Sequence, residues 1–283
     1  MTSLMHELRS RGVAPKRALG QHFLIDRGVA QKIVQLADLK PEDCVVEIGP
    51  GMGVLTFLML PQVKQVVAVE LDQEMADYLR ERGAGTPSLI VIRQDALGFD
   101  FPALAQEAGR KLKVVANLPY NISTPVIFRL LESREALAHL TLMLQREVAQ
   151  RITASPGSKD YGLLSIFTQL YTAPKIMMRV PPQAFYPRPK VESSVVGFEI
   201  LERPRVAIKD EGFFQKVVRA AFSQRRKTIL NSLRGAPLAL GSREKITEAL
   251  EAVGIDPRRR AETMDLVEFK RLAEALQHIV SLR

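Results

Sequence analysis

Cys44-Val45-Val46-Glu47-Ile48-Gly49-Pro50-Gly51-Met52-Gly53 is the stretch that decides the fold of this chain. Its first five residues are mostly apolar and β-branched, and three alternating glycines follow at once. So short an apolar run, closed by glycine, reads as a buried strand. Helical spacing resumes near Val54. A strand, a glycine turn and a helix make the opening of a βαβ unit. Glycine in such a turn permits positive φ and lets the main chain come close to a ligand. The spacing is G-x-G-x-G, not the G-x-G-x-x-G of a turn that seats a pyrophosphate on a helix N-terminus. A tight strand-to-helix turn with no ligand is the competing reading of these glycines.

Working outward, apolar runs and helical patterns alternate through two thirds of the chain. Strands are predicted at Cys44–Ile48, Gln65–Glu70, Ser88–Ile92, Leu112–Ala116 and Leu140–Leu144. Helices are predicted at Gly28–Asp38, Val54–Leu60, Gln73–Arg82, Thr124–Leu131, Arg146–Thr153 and Tyr161–Tyr171. This order predicts an α/β fold, a mostly parallel, Rossmann-like sheet with helices on both faces. Ile176–Val180 and Ser194–Ile200 read as strands closing the sheet, with Pro181 to Pro189 between them irregular. Glu202-Arg203-Pro204-Arg205 marks a boundary. Beyond it only helices are predicted, at Phe213–Phe222, Lys227–Leu233, Glu244–Val253 and Val267–Val280. The expected domains are residues 1–203, with the sheet and a basic N-terminal arm, and residues 204–283, small and all-helical.

Three strand ends carry polar groups where open α/β sheets bind ligands. Glu70 ends the second strand, at the place of an acid that accepts from ribose hydroxyls. Asp95 follows the third, either receiving an adenine amino group or capping the next turn. Asn117-Leu118-Pro119-Tyr120 ends the fourth. The Asn117 side-chain oxygen and the Leu118 carbonyl are two acceptors for the two N–H bonds of an exocyclic amine. Pro119 biases Leu118 away from the α region and adds no competing donor. Tyr120 is a ring on which a flat base can stack. Acceptors on both N–H bonds pull such an amine towards tetrahedral geometry and stabilise the positive charge that develops when it attacks. With a glycine loop suited to a ligand lacking pyrophosphate, this set points to methyl transfer from S-adenosylmethionine to a nucleobase amine. Phe185, in a proline-flanked loop, is the candidate for the base's other face, with Tyr186 its rival; a core anchor is the alternative for Phe185.

Composition narrows the partners. The chain has 283 residues, 46% hydrophobic, and a formal charge of +9. From Pro187 onward there are 19 Lys+Arg against 13 Asp+Glu; the longer part before it has 21 against 18. The balance favours an anionic partner such as nucleic acid. Cys44 is the only cysteine, which excludes internal disulfides and a cysteine zinc site. His6, His22, His139 and His278 lack ligand spacing, so no metal is expected. No apolar run is long enough for a bilayer, and Met1 to Arg17 lacks a signal-peptide core. A cytoplasmic, membrane-free monomer is expected.

The ordered motifs resemble the rRNA adenine N6,N6-dimethyltransferase family along nearly the whole chain. They are Leu19-Gly20-Gln21-His22-Phe23-Leu24, Glu47 to Thr56, Asn117 to Ser123, Pro187-Arg188-Pro189-Lys190-Val191, Ala221 to Thr228, and Gly254 to Glu262. The resemblance implies a class I S-adenosylmethionine-dependent methyltransferase sheet and a helical rRNA-binding domain. It implies that Gln21, His22 and Leu24 line the cofactor site together with Gly49, Gly51, Gly53, Glu70, Asp95 and Asn117. His22 stands where some members have Asn, so packing rather than proton transfer is expected of it. The implied substrate is a pair of adjacent adenosines in the 3'-terminal stem-loop of 16S rRNA, within the 30S subunit or its precursor. Each target must leave its stack to react. Arg225, Arg226 and Lys227 are expected to form a positive patch on a second-domain helix, facing rRNA phosphates.

Two other functions share part of this pattern. A large-subunit rRNA adenine methyltransferase has the same catalytic motifs but not the C-terminal ones. A ribosome-assembly factor that methylates only on release would keep the glycine loop, Glu70 and Asn117 as well.

Overall fold

The computed structural model describes residues 15–16, 20–224, 226–238 and 240–281. Its strands are Phe23–Leu24 (β1), Cys44–Ile48 (β2), Gln65–Glu70 (β3), Leu89–Arg93 (β4), Leu112–Asn117 (β5), Leu137–Gln145 (β6), Thr172–Val180 (β7), Phe185–Tyr186 (β8) and Ser193–Ile200 (β9). Seven form one sheet in the order β4-β3-β2-β5-β6-β9-β7. The pairs from β4 to β6 are parallel, and β9 runs antiparallel to β6. All five residues of β2 are buried, as a central strand covered on both faces requires. Edge strand β4 has no buried residue although four of its five residues are apolar.

Local chemistry sets the helices between strands. Asp72 caps Gln73–Arg82 by accepting from the Glu74 amide at 3.0 Å, Glu74 lies in its first turn and Arg80 and Arg82 in its last, and Gly83 ends it. Met75, Ala76, Tyr78 and Leu79 form its buried face. The helix expected over Val54–Leu60 is shorter. It spans Thr56–Met59 and passes into a 3-10 turn at Leu60–Gln62. The glycine turn takes up the residues before it, and Pro61 cannot continue an α-helical bond ladder. Phe101–Ala108 is a helix that apolar periodicity does not mark, with Phe101 its one buried residue.

Pro181 to Pro189 is more ordered than expected. A 3-10 turn at Pro182–Ala184 leads into β8, which pairs antiparallel with β1, Phe23 opposite Tyr186 and Leu24 opposite Phe185. Main-chain bonds from Ile25 and Asp26 to the Ala184 carbonyl extend the contact. The segment around Gln21 and His22 is thereby tied to the loop that follows β7.

The chain divides into two compact units, residues 1–149 with 173–200, and residues 150–172 with 201–283. The first holds nearly all of the sheet. The second takes in Gln150–Thr172 as well as everything from Leu201 onward, the Glu202–Arg205 stretch included. Side-chain and main-chain bonds explain this: Tyr171 donates its hydroxyl to Glu211 at 3.0 Å, Leu201 its amide to the Tyr171 carbonyl at 3.0 Å, and Arg205 its amide to the Leu170 carbonyl at 2.8 Å. Its helices are Leu163–Tyr171, Glu211–Ala221, Ile229–Arg234, Arg243–Ala252 and Leu266–Ser281.

Candidate functional site

The carboxyl ends of β2, β3 and β5 lie side by side, since Ile48 is opposite Val69 and Glu47 opposite Val115. One cavity opens there, walled by Gly20–Leu24, the glycine loop, Val69–Leu71, Gln94–Ala96 and Asn117–Ile122. Within the loop, Gly49 donates to the Val69 carbonyl and Gly53 to the Pro50 carbonyl, each at 2.9 Å. Gly51 and Gly53 have φ of +53° and +72°. A Cβ on Gly51 would meet the Phe23 ring at 2.9 Å; one on Gly53 would meet Leu79 at 2.6 Å and Phe57 at 2.7 Å. Gly49 and Gly51 are on the cavity wall, whereas Gly53 is not and is required by packing beneath the loop.

Glu70 is buried at the end of β3. Its Oε2 accepts from the Gly51 amide at 3.0 Å and its Oε1 from the Asp72 amide at 2.9 Å. Each oxygen keeps a further lone pair, so the carboxylate can still accept from a diol. Burial pushes its pKa up against the opposing pull of the Asp72, Gly51 and Leu71 amides. Asp72 holds the N-terminal segment to this corner. It accepts from Lys16 Nζ at 2.8 Å and from Gln21 Nε2 at 3.1 Å, while Gln21 Oε1 accepts from the Lys16 amide at 2.9 Å. Burial opposes ionisation of Asp72, but these bonds hold its pKa below the usual carboxylate range. Asp95 lies on the wall and also accepts from the Leu97 amide at 2.9 Å, so it caps its turn as well.

Asn117 donates Nδ2 to the His22 carbonyl at 3.0 Å. A carbonyl can only accept, so this bond fixes which end of the amide is nitrogen and directs the oxygen elsewhere. The Leu118 amide is taken by the Met143 carbonyl at 3.2 Å, and the Ile122 amide closes the turn on Pro119. Tyr120 is held at two places. Its hydroxyl is 2.7 Å from Ser193 Oγ, and its ring lies 5.2 Å from that of His22 at 30°. The His22 ring is in turn bonded through Nδ1 to the Pro187 carbonyl at 2.7 Å, so Nδ1 carries the proton. His22 packs rather than standing free in the cavity.

Phe185, Arg226 and Lys227 are placed differently from what was expected. Phe185 is 3% exposed, packed in the core with Ile33, Val34 and Val180, and is not on the cavity wall. It is not a free stacking face here, because its register opposite Leu24 turns it into that core. Leu24 lies in the same core and reaches the wall from it. Tyr186, the rival, is partly buried against Phe23 and Met52. In the second unit, Arg226 and Lys227 are exposed but sit in the turn between Glu211–Ala221 and Ile229–Arg234, not on a helix, because Thr228 caps the next helix. Arg225 lies outside the described residues, as do Arg9, Arg11 and Arg17 of the N-terminal arm. The turn is joined to a second basic run, since the Ile229 amide donates to the Arg259 carbonyl at 2.7 Å. Arg258 beside it is exposed, and Arg259 is paired with Glu268, Nη2 to Oε2 at 3.1 Å.

Sequence reasoning assigned no role to Glu47, Leu71, Asp72 or Ser193. Glu47 is on the wall, fully buried, accepts from the Thr56 hydroxyl, and is pushed up to about 8, chiefly by burial. Leu71 is 50% exposed at the wall, an apolar surface beside Glu70. Its place directly after a strand-end acid is the signal that marks it.

The chemistry of the wall tests what ligand fits. It carries Glu47, Glu70 and Asp95, and among the described residues no Lys or Arg stands on it. The carboxylates of Glu70 and Asp95 repel an anionic pyrophosphate, whereas a cationic, phosphate-free nucleoside meets opposite charge, a diol acceptor and apolar surface. S-adenosylmethionine has those properties.

The profile of the family described as ribosomal RNA adenine dimethylase matches residues 13–278. A Geobacter metallireducens protein named ribosomal RNA small subunit methyltransferase A is 46% identical over 270 residues, covering 95% of this chain and 98% of that protein. The crystal structure of a dimethyladenosine transferase from Plasmodium falciparum superposes with a TM-score of 0.76 at 28% identity, covering 92% of this chain and 98% of that one. The 23S rRNA methyltransferase ErmE superposes with a TM-score of 0.66 at 26% identity, covering 90% and 99%.

Proposed function

The chain belongs to the ribosomal RNA adenine dimethylase family, and from that premise we propose that it dimethylates N6 of two adjacent adenosines in the 3'-terminal stem-loop of 16S rRNA, within the assembling 30S subunit. It is an S-adenosylmethionine-dependent rRNA methyltransferase. When bound, S-adenosylmethionine supplies an electrophilic methyl group on a cationic sulfur. Glu70 would accept from the ribose hydroxyls, Leu71, Asp95 and Ala96 on the same wall would hold the adenine end, and the glycine loop would let the main chain approach. Gln21 closes the same corner, held there by Asp72.

The observation that carries the catalytic reading is the bond from Asn117 Nδ2 to the His22 carbonyl. With its nitrogen engaged, the amide presents oxygen as an acceptor for an N–H of the target amine, and the Leu118 carbonyl takes the other. Both act on charge that develops on N6, so their stabilisation is greatest in the transition state. Tyr120 stacks on the base. Arg226, Lys227 and Arg258 contact rRNA phosphates, which position without reading sequence. The small-subunit reading is favoured over a large-subunit one by the 46% identity across 98% of a small-subunit enzyme, against 26% for ErmE. No helix among the described residues is long and apolar enough to cross a membrane; work on particles in the cytoplasm, as a monomer, is part of the proposal.

Labelled methyl transfer to small ribosomal subunits from an unmodified strain, followed by mapping, tests this. Label as N6,N6-dimethyladenosine at two adjacent positions of the 3'-terminal stem-loop is expected. Label on large-subunit rRNA, or on a single adenosine, would overturn it.

A further inference from the structure

We infer that Ser193 is a positioning residue for the acceptor base, and that its effect falls mainly on the second methyl transfer to each adenosine. This rests on the adenine-amine reading above. Ser193 begins β9, is fully buried, and stands opposite Gln145 at the end of β6. Its hydroxyl is 2.7 Å from that of Tyr120, 73 residues away in sequence. The main chain of Tyr120 is anchored beside Asn117, so this bond fixes the far end of the phenol and hence the ring axis. Contact with the His22 ring fixes the ring plane. Burial makes the pair costly to break, because the Ser193 hydroxyl left alone would be an unsatisfied polar group.

The two rounds of transfer differ in what holds the base. In each round the N6 lone pair forms the new N–C bond as the methyl–sulfur bond breaks, and one N6 proton passes to solvent. The amine therefore enters the first round with two N–H bonds, one for Asn117 Oδ1 and one for the Leu118 carbonyl. It enters the second with one. Stacking on Tyr120 is unchanged in kind, so it carries a larger share of the alignment in the second round. A ring freed at its hydroxyl end keeps its area but loses its aim. The first transfer tolerates this better than the second.

The test is single-turnover transfer, with enzyme and S-adenosylmethionine in excess over unmodified small subunits. Monomethyl- and dimethyladenosine are resolved over time to give a rate for each round. Ser193→Ala should lower the ratio of second-round to first-round rate by about three- to tenfold, the scale of one well-aligned aromatic contact. Tyr120→Phe should lower it similarly, and the double variant no further, since both remove one interaction. Cofactor affinity and thermal midpoint, measured alongside, identify a variant that fails only through its fold; Tyr120→Phe, which removes one atom, then decides. An unchanged ratio in folded Ser193→Ala, or additive losses in the double variant, would overturn the role of Ser193. If wild-type protein puts no methyl on an adenine amine, the underlying reading fails instead.

Discussion

The side-chain nitrogen of Asn117 donates to the main-chain carbonyl of His22 across 95 residues of sequence, at 3.0 Å. The acceptor is main chain, so the bond does not depend on the imidazole. His22→Ala should keep the Asn117 amide oriented while losing the ring contact to Tyr120 and the bond to Pro187. Turnover should fall by less than in Asn117→Ala. Steady-state rates of the two variants side by side check this; an equal loss would mean that the ring, not the carbonyl, sets the site.

Glu70→Ala should weaken S-adenosylmethionine binding by about 1.5–3 kcal/mol, the scale of charge-assisted hydrogen bonds. Burial raises the pKa of Glu70. The ionised form is the better acceptor, so wild-type affinity should drop on acidification at a pH above that of an ordinary glutamate. Calorimetric titration across pH reads both effects. Unchanged affinity in a folded Glu70→Ala variant would remove this residue from the site.

Glu47 makes folding stability depend on pH in the opposite sense to a paired carboxylate. Its pKa is pushed up from 4.5 to about 8, by burial above all. Between those values the folded state holds a proton that the unfolded state lacks. Stability contributed at low pH is therefore lost as pH rises through the folded pKa, at about 1.4 kcal/mol per pH unit at most. Glu47→Gln should flatten this dependence and be the more stable protein above pH 8. Denaturant midpoints at pH 5.5 and pH 9 measure it, and parallel shifts in the two proteins would contradict it.

Changing Arg225, Arg226 and Lys227 to Gln should weaken binding to small-subunit particles and leave cofactor affinity intact. The dependence of log affinity on log salt should flatten by up to about 0.7–0.9 per lost phosphate contact. Filter binding at several salt concentrations reads this slope. If slope and affinity both match wild type, the turn is only solvated, and the arm around Arg9, Arg11, Lys16 and Arg17 becomes the place to look.

Much of the architecture was legible because long-range order here follows local pattern. β2 is apolar but for Glu47, and each strand that ends in a functional group is bounded by a glycine, proline or acid. Asn117 and Glu70 could be read for the same reason: a strand end fixes position without tertiary knowledge. Phe101–Ala108 escaped periodicity because it buries one residue, although Asp100, Pro102 and Gly109 mark its ends. The fate of Phe185 could not be read, since its direction depends on pairing with Leu24, more than 150 residues away. Ser193 and Asp72 were hidden for a like reason. A serine in an apolar strand, or an acid before a helix, has an ordinary local explanation, and only the contact with Tyr120 or Gln21 reveals more.

The central claim is that Asn117 acts on the amine in the transition state and not on the cofactor. A single-turnover comparison of wild type and Asn117→Ala, with S-adenosylmethionine affinity measured on the same samples, tests it most directly. The expected result is a rate of methyl transfer lower by roughly 10²-fold or more, with cofactor affinity nearly unchanged. A near-normal rate, or a loss fully explained by weaker cofactor binding, would contradict it.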